Sequence, residues 1–368
     1  MAERLRPRVT LNSRIFFLMT LGTLLLGSGP SRGVAQTRAG PVTVDPVMYQ
    51  GLRYRNIGPA RGGRVTAVAG HPSRAGTFFM GATGGGVWKT ESYGNIWENV
   101  SDGFFSTGSI GAIDVADSNP DVVYVGTGSA AIRSNVITGK GVYRSDDGGD
   151  TWTFVGLPHA GQIAELQVHP SDPNLVFVAA VGNAFGPNPE RGIFRTRDGG
   201  RSWEKVLFLS DSTGASDVQI NPEDPQEIWA GMWRAERKPW TIISGAREGG
   251  VYRSRDGGDS WEHVTGGLPT GLTGKIAIGI SPADTRRMYV LIEAPEPEGG
   301  LYRSDDGGES WRLINDEYDI RHRSFYYNYV WVDPVDPDVL YTGAEKFYRS
   351  RDGGVSFEVV QPPHDDNH

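Results

Sequence analysis

Cysteine is absent from all 368 residues. That excludes a disulfide framework, a thiolate nucleophile, a Cys-ligated zinc site and an anchor built on an acylated cysteine. No stretch carries the 3.6-residue apolar period of an amphipathic helix, so helical repeats are excluded as well. Basic excess is also missing: 36 Lys and Arg stand against 44 Asp and Glu, a formal charge of −8. A nucleic-acid groove needs a clustered basic surface, so no nucleic-acid partner is expected. A long apolar run occurs once, at residues 15–26. Arg4, Arg6, Arg8 and Arg14 precede it, and Gly33-Val34-Ala35 follows. This is the layout of a secretory signal peptide, and 12 residues are few for a membrane span. The expectation is a signal peptide over residues 1–35, a secreted or periplasmic product, and no transmembrane helix after its removal. Removal leaves 31 basic and 43 acidic residues. Residues 36–45 read as a flexible lead-in.

Glycine, by contrast, is abundant, at 51 residues, with 23 Pro and 10 Trp. Much of it sits in one phrase. Residues 143–152 read Tyr-Arg-Ser-Asp-Asp-Gly-Gly-Asp-Thr-Trp. Nearly the same words return at 194–203, 252–261, 302–311 and 348–357, with a worn copy at 88–97. Successive copies lie 55, 51, 58, 50 and 46 residues apart. A period of this size means a propeller, solenoid or array. A second phrase rich in Pro and Asp precedes each copy, as in His169-Pro170-Ser171-Asp172-Pro173. Such density marks turns. Short Val-, Ile- and Tyr-rich runs flank both phrases, as strands do. Four strands in about 50 residues make an antiparallel blade, and repetition about an axis makes a β-propeller. The fold class predicted is therefore all-β, a propeller of six repeats over residues 46–360, with 361–368 as a tail.

The recurring aspartates, Asp147, Asp198, Asp256, Asp306 and Asp352, tempt a catalytic reading. Elementary chemistry favours a structural one. Such a carboxylate accepts bonds from its own turn, and the glycines supply positive φ. The terminal ring (Trp152, Trp203, Trp261, Trp311 or Phe357) plugs between sheets. Five equivalent sites serve a repeat better than they serve catalysis.

Residues 145–152 match the pattern Ser/Thr-x-Asp-x-Gly-x-Ser/Thr-Trp/Phe, and so resemble the Asp-box, or BNR repeat. Members of that repeat class include sialidases, xyloglucanase-like glycoside hydrolases, sortilin/Vps10 receptors and photosystem II assembly factors. The segments 54–60, 62–65, 84–90 and Tyr326-Tyr327 look most like the secreted bacterial sortilin/Vps10-like and BNR-repeat glycosyl-hydrolase-like proteins. Those relatives are usually longer, and residues 364–368 resemble the start of a further repeat. The resemblance thus implies a fragment or a shortened member.

In a blade, the two turn phrases share one face of the ring. The loops that vary lie on the other face, where binding is to be sought. They concentrate aromatic rings and guanidinium forks, which suit sugars, peptides and carboxylates. The candidate ligand-binding residues are Arg61, Arg64, Arg133, His159, Asn183, Trp233, Arg237, Trp240, Arg321, His322, Tyr326 and Tyr327. No cofactor is implied and no metal-ligand spacing is present. The leading expectation is non-catalytic binding of an extracellular or periplasmic protein, peptide or glycan. The rival is glycoside hydrolysis, which needs two carboxyl groups; Asp102, Glu190, Asp211, Asp217, Glu236 and Asp319 are candidates. Resemblance to xyloglucanases would place one catalytic Asp before Gly84-Gly85, where this chain has Thr83. It would place the second acid in another propeller. Sialidase activity is not expected, since Arg55-Asn56-Ile57-Gly58-Pro59 only echoes the early motif of those enzymes.

Overall fold

The computed structural model describes residues 45–49, 63–133 and 135–360. The stretch read as a signal peptide, residues 36–44 of the expected lead-in, Arg61, the likeness at 54–60 and the expected tail at 361–368 lie outside the described residues. Residues 1–57 cluster as one unit and residues 58–368 as another. Within the first, Pro46–Tyr49 forms a single 3-10 turn.

The second unit holds six antiparallel sheets in chain order. Blade 1 is β1 (Val65–Gly70), β2 (Phe78–Ala82), β3 (Gly86–Thr90) and β4 (Glu98–Asn99). Blade 2 is β5 (Ile110–Val115), β6 (Val123–Thr127), β7 (Val142–Ser145) and β8 (Thr153–Gly156). Blade 3 is β9 (Gln162–His169), β10 (Asp172–Gly182), β11 (Gly192–Thr196) and β12 (Glu204–Leu207). Blade 4 is β13 (Thr213–Ile220), β14 (Ile228–Arg237), β15 (Ile242–Ser244), β16 (Gly250–Ser254) and β17 (Glu262–Val264). Blade 5 is β18 (Ile276–Ile280), β19 (Met288–Ile292), β20 (Gly300–Ser304) and β21 (Arg312–Asn315). Blade 6 is β22 (Tyr329–Val332), β23 (Leu340–Gly343), β24 (Phe347–Ser350) and β25 (Glu358–Val360). The all-β propeller read from the repeats is the observed fold. Blade 4 adds a strand, because β14 runs on to Arg237 and pairs there with β15.

The core is not central but lies between blades, where the side chains of facing sheets interdigitate. Phe177 and Ala179 of blade 3 pack with Ala215 and Val218 of blade 4. Equivalent apolar clusters join blades 1 and 2, 2 and 3, 4 and 5, and 5 and 6. Among the described residues no such cluster joins blade 6 to blade 1. The inner strand β22 also does not pack on β1 as the other inner strands pack on their neighbours. Exposure records this seam. Leu166 and Val176 on blade 3 are 0% exposed, whereas Val68 and Phe78, their register equivalents on blade 1, are 71% and 44% exposed.

Each Asp-Gly-Gly turn closes upon itself. Ser145 Oγ donates to Asp147 Oδ1 at 2.7 Å, and Gly149 N donates to Ser145 Oγ at 2.8 Å. Thr151 donates to the same carboxylate through its N–H at 2.9 Å and its hydroxyl at 2.6 Å. The copies at Asp198, Asp256, Asp306 and Asp352 repeat this pattern. In the worn copy Ser92 Oγ takes the carboxylate's place, accepting from Ile96 N at 2.9 Å. Hydroxyl donation holds Asp198, Asp256 and Asp306 at a pKa of about 2, with Ser202, Ser260 and Ser310 the leading donors. The second glycine has a further reason to lack a side chain. A Cβ on Gly258, at φ +89°, would sit 2.9 Å from the Phe177 ring of the preceding blade.

A clasp then reaches from each blade to the next. Arg144 donates to Asn174 at 2.9 Å, Arg195 pairs with Asp259 at 2.7 Å, and Arg253 pairs with Glu309 at 2.8 Å. Arg303 donates to the Gly353 carbonyl at 3.2 Å. At the seam the pattern stops: Arg349 turns back to Glu358 of its own blade, at 2.7 Å.

Candidate functional site

Along an inner strand, side chains two apart share a side, so register decides what lines the axis. Glu165 on β9 and Asp217 on β13 hold equivalent positions, opposite Ala179 and Gly231 of their partner strands. Asp114, Gln167 and Gln219 are equivalent one step further along. These polar groups line one axial cavity of about 320 Å³, together with Val68, Ile278, Tyr329 and Trp331. The cavity reaches Gly70 and Pro282, beside the Pro-containing turns, and so extends toward the Asp-box face.

The other end of the axis is crossed by residues 325–328. Tyr326 and Tyr327 pack on Ala131 of blade 2, and Phe325 packs on the cluster of Val181, Trp233 and Ala235 from blades 3 and 4. Asn328 Nδ2 donates to the Lys275 and Leu291 carbonyls, both at 3.1 Å. Lys275 Nζ donates to the Tyr327 carbonyl at 2.7 Å. A segment leading into blade 6 that touches blades 2 to 5 must lie over the axis.

Burial sets the electrostatics of the cavity. Desolvation pushes the Asp114 carboxyl up to about 7, against a bond from Val168 N at 2.8 Å. Desolvation likewise raises Asp217 to about 6, although it accepts from Ile278 N at 2.7 Å and from Gln219 at 2.9 Å. Glu165 is raised well above the carboxylate range, first by desolvation and then by the charge of Asp217. Lys275 is lowered to about 8 by burial, which Asp217 and Glu293 partly oppose. Burial thus favours the protonated form of both carboxyls, and at Glu165 the charge of Asp217 adds to that effect.

The loop candidates are scattered. Trp240 is 81% exposed, and His159 and Asn183 are exposed. Trp233 is fully buried inside β14 and donates to Ser244 Oγ at 2.9 Å. Arg237 ends that same strand rather than standing in a loop. Arg321 is buried and paired with Glu296, and His322 Nδ1 lies 2.9 Å from Glu345. Tyr326 and Tyr327 are fully buried. Arg64 and Arg133 flank the Tyr326 ring, their guanidinium carbons 5.6 and 4.9 Å from its centroid. Of the six loop carboxyls weighed for hydrolysis, Asp217 is on an inner strand and Glu236 is buried against Lys238. Asp102, Asp211 and Asp319 are exposed and lie apart from the cavity lining. Glu190 is half-buried and also outside it. Reading the loops alone missed Asp114, Glu165 and Lys275. The available signal was an acidic residue inside the first-strand runs of blades 2, 3 and 4, and a lysine just before that of blade 5.

Among the described residues no group of His, Asp and Glu is arranged to hold a metal ion, and no helix is long and apolar enough to cross a membrane.

Comparison with known proteins agrees with the fold. Residues 140–268 match the family described as "Sortilin, neurotensin receptor 3", and residues 302–313 match the BNR/Asp-box repeat. The chain is 24% identical over 234 residues to a xyloglucanase of Hypocrea jecorina, covering 56% of this chain and 26% of that protein. It is 26% identical over 209 residues to a xyloglucanase of a Paenibacillus species, covering 51% and 19%. The chain thus matches about a quarter or less of the length of these curated relatives. The crystal structure of the Niastella koreensis GH74 enzyme superposes with a TM-score of 0.57 at 17% identity, over 79% of this chain and 46% of that one. By its closed turns and four-stranded blades the chain is a β-propeller with Asp-box turns, and by these matches it is similar to the sortilin/Vps10-like and glycosyl-hydrolase-like proteins.

Proposed function

We propose that this propeller acts on oligo- or polysaccharide as a glycoside-hydrolase-like protein, exported to the periplasm or beyond. The observation that carries the reading is the alignment of more than half the chain with xyloglucanases. The axial cavity supplies a chemical basis. Glycoside hydrolysis needs a protonated acid to meet the leaving oxygen and an ionised carboxylate to act on the sugar or on water. Environments that push two carboxyls apart in pKa assign those roles. Here Glu165 is the acid and Asp217 the ionised partner, with Asp114 a third group in the same cavity.

The second reading is non-catalytic binding of a protein, peptide or glycan on the variable-loop face. It is favoured by Thr83, which stands where xyloglucanases would carry an acid. Exposed Trp240, a free-standing aromatic platform, also favours it. Incubation with xyloglucan and its oligosaccharides, read by mass spectrometry, separates the two. Turnover that is lost in Glu165→Gln and in Asp217→Asn sustains the hydrolase reading. Saturable glycan binding with no product in the unaltered protein overturns it in favour of the second.

A further inference from the structure

From the convergence of three arginines on one buried ring, we infer that the propeller carries a carboxylate-binding subsite at Arg64, Arg133 and Arg323. It lies at the end of the axis crossed by residues 325–328. It suits a sugar bearing a carboxylate, such as a uronic acid. The choice of a sugar rests on the glycan reading above; the site itself rests on geometry.

The three guanidinium groups come from three parts of the chain. Arg64 precedes β1 of blade 1, Arg133 is in the β6–β7 loop of blade 2, and Arg323 is in the link into blade 6. Their carbons lie 5.6, 4.9 and 5.4 Å from the centroid of Tyr326. Arg133 Nη1 also donates to the Tyr326 hydroxyl at 3.3 Å. The ring is fully buried, while all three arginines keep a partial opening to solvent.

Charge makes this arrangement unusual for the molecule. On the Asp-box face several arginines meet carboxylates: Arg195 has Glu204 and Asp259, Arg253 has Glu262 and Glu309, and Arg287 has Asp305 and Asp338. Among the described residues neither Arg64 nor Arg323 has a carboxylate partner. Arg64 Nε is buried with no hydrogen-bond partner at all. Like-charged guanidinium groups gathered on one ring repel one another. Cation–π contact with the ring offsets part of that repulsion and leaves room for an anion to gain. Backbone strain adds to the case. Arg323 sits at φ +58°, a left-handed conformation unfavourable to a non-glycine residue. Strain of this kind clusters where a side chain must be aimed. Guanidinium forks bind carboxylates with two parallel bonds, which sets the ligand chemistry.

Calorimetric titration of the full chain with glucuronate, its methyl ester and glucose tests the site, alongside a neutral xyloglucan oligosaccharide. Glucuronate is expected to bind at least tenfold more tightly than the ester or glucose, and to weaken as salt is raised. Arg64→Ala and Arg323→Ala should each weaken it about tenfold, and Arg323→Lys less. Equal binding of glucuronate and its ester by the unaltered protein overturns the site, and needs no variant to fold. Neutral-oligosaccharide binding without glucuronate binding overturns the arginine site alone. Glucuronate binding without any neutral-glycan binding or turnover supports the site and overturns the hydrolase reading instead.

Discussion

The Tyr289 hydroxyl of blade 5 donates to the Pro337 carbonyl of blade 6 at 2.7 Å. Tyr124 makes the same bond to Pro173 across the boundary between blades 2 and 3, at 2.9 Å. Tyr341 is the register equivalent on blade 6 and faces the seam, half-buried. Tyr289→Phe should therefore lower stability by about 1 kcal/mol, the usual net worth of such a bond. Tyr341→Phe should shift the urea midpoint far less. Equal losses in the two variants would mean that the clasp contributes nothing specific to the boundary.

The Asp-box carboxylates act within their own turns. Asp147→Asn keeps an acceptor oxygen but presents an amide to Thr151 in place of a carboxylate oxygen. The expected loss is about 1–2 kcal/mol, seen as a fall in Tm of a few degrees. Hydrolysis of any glycan at a temperature well below Tm should persist. Complete loss of turnover with Tm intact would move this aspartate from scaffold to chemistry.

Removing a buried charge should separate stability from activity. Glu165→Gln and Asp217→Asn delete carboxyls that desolvation and mutual repulsion disfavour. Each should raise Tm at pH 7 while abolishing turnover. A rise in Tm with hydrolysis unchanged would leave the cavity carboxyls without a catalytic part.

The pH profile should be humped. The turns at Asp198, Asp256 and Asp306 have folded pKa values of about 2 against 3.8 for the free group. Their stabilisation is present above 3.8 and is lost as pH falls toward 2. Asp114 and Asp217 are shifted the other way, to about 7 and 6. Their neutral forms are favoured by the fold, so stability falls as pH rises from about 4 to 7. Thermal melts should peak near pH 4–5, and Asp114→Asn should flatten the neutral side. A monotonic rise of Tm from pH 4 to 7 would contradict the burial of these groups.

Much of the fold was legible because the repeat is local. The turn Ser145-Asp146-Asp147-Gly148-Gly149 is closed by bonds no more than four residues long, so its sequence states its geometry. The site was less legible because it depends on register between distant strands. Asp114 and Glu165 read as charges in short runs, and only pairing with Tyr124 and Ala179 turns them toward one axis. Trp233 misled for a related reason. Its loop composition suggested a platform, but β15 extends the sheet and covers the ring.

Because each clasp spans a single boundary, the blade sheets couple chiefly to their neighbours, with residues 325–328 adding a bridge across the axis. Repeats joined in that way behave as a one-dimensional cooperative array. A closed ring would have no first or last member, but among the described residues no apolar cluster joins β22 to β1, so the described array has two ends. Amide protons in blades 3 and 4 should then exchange slowest. Opening should travel inward from Val68 on one side and Tyr341 on the other, so the molecule unfastens like a bracelet at its catch.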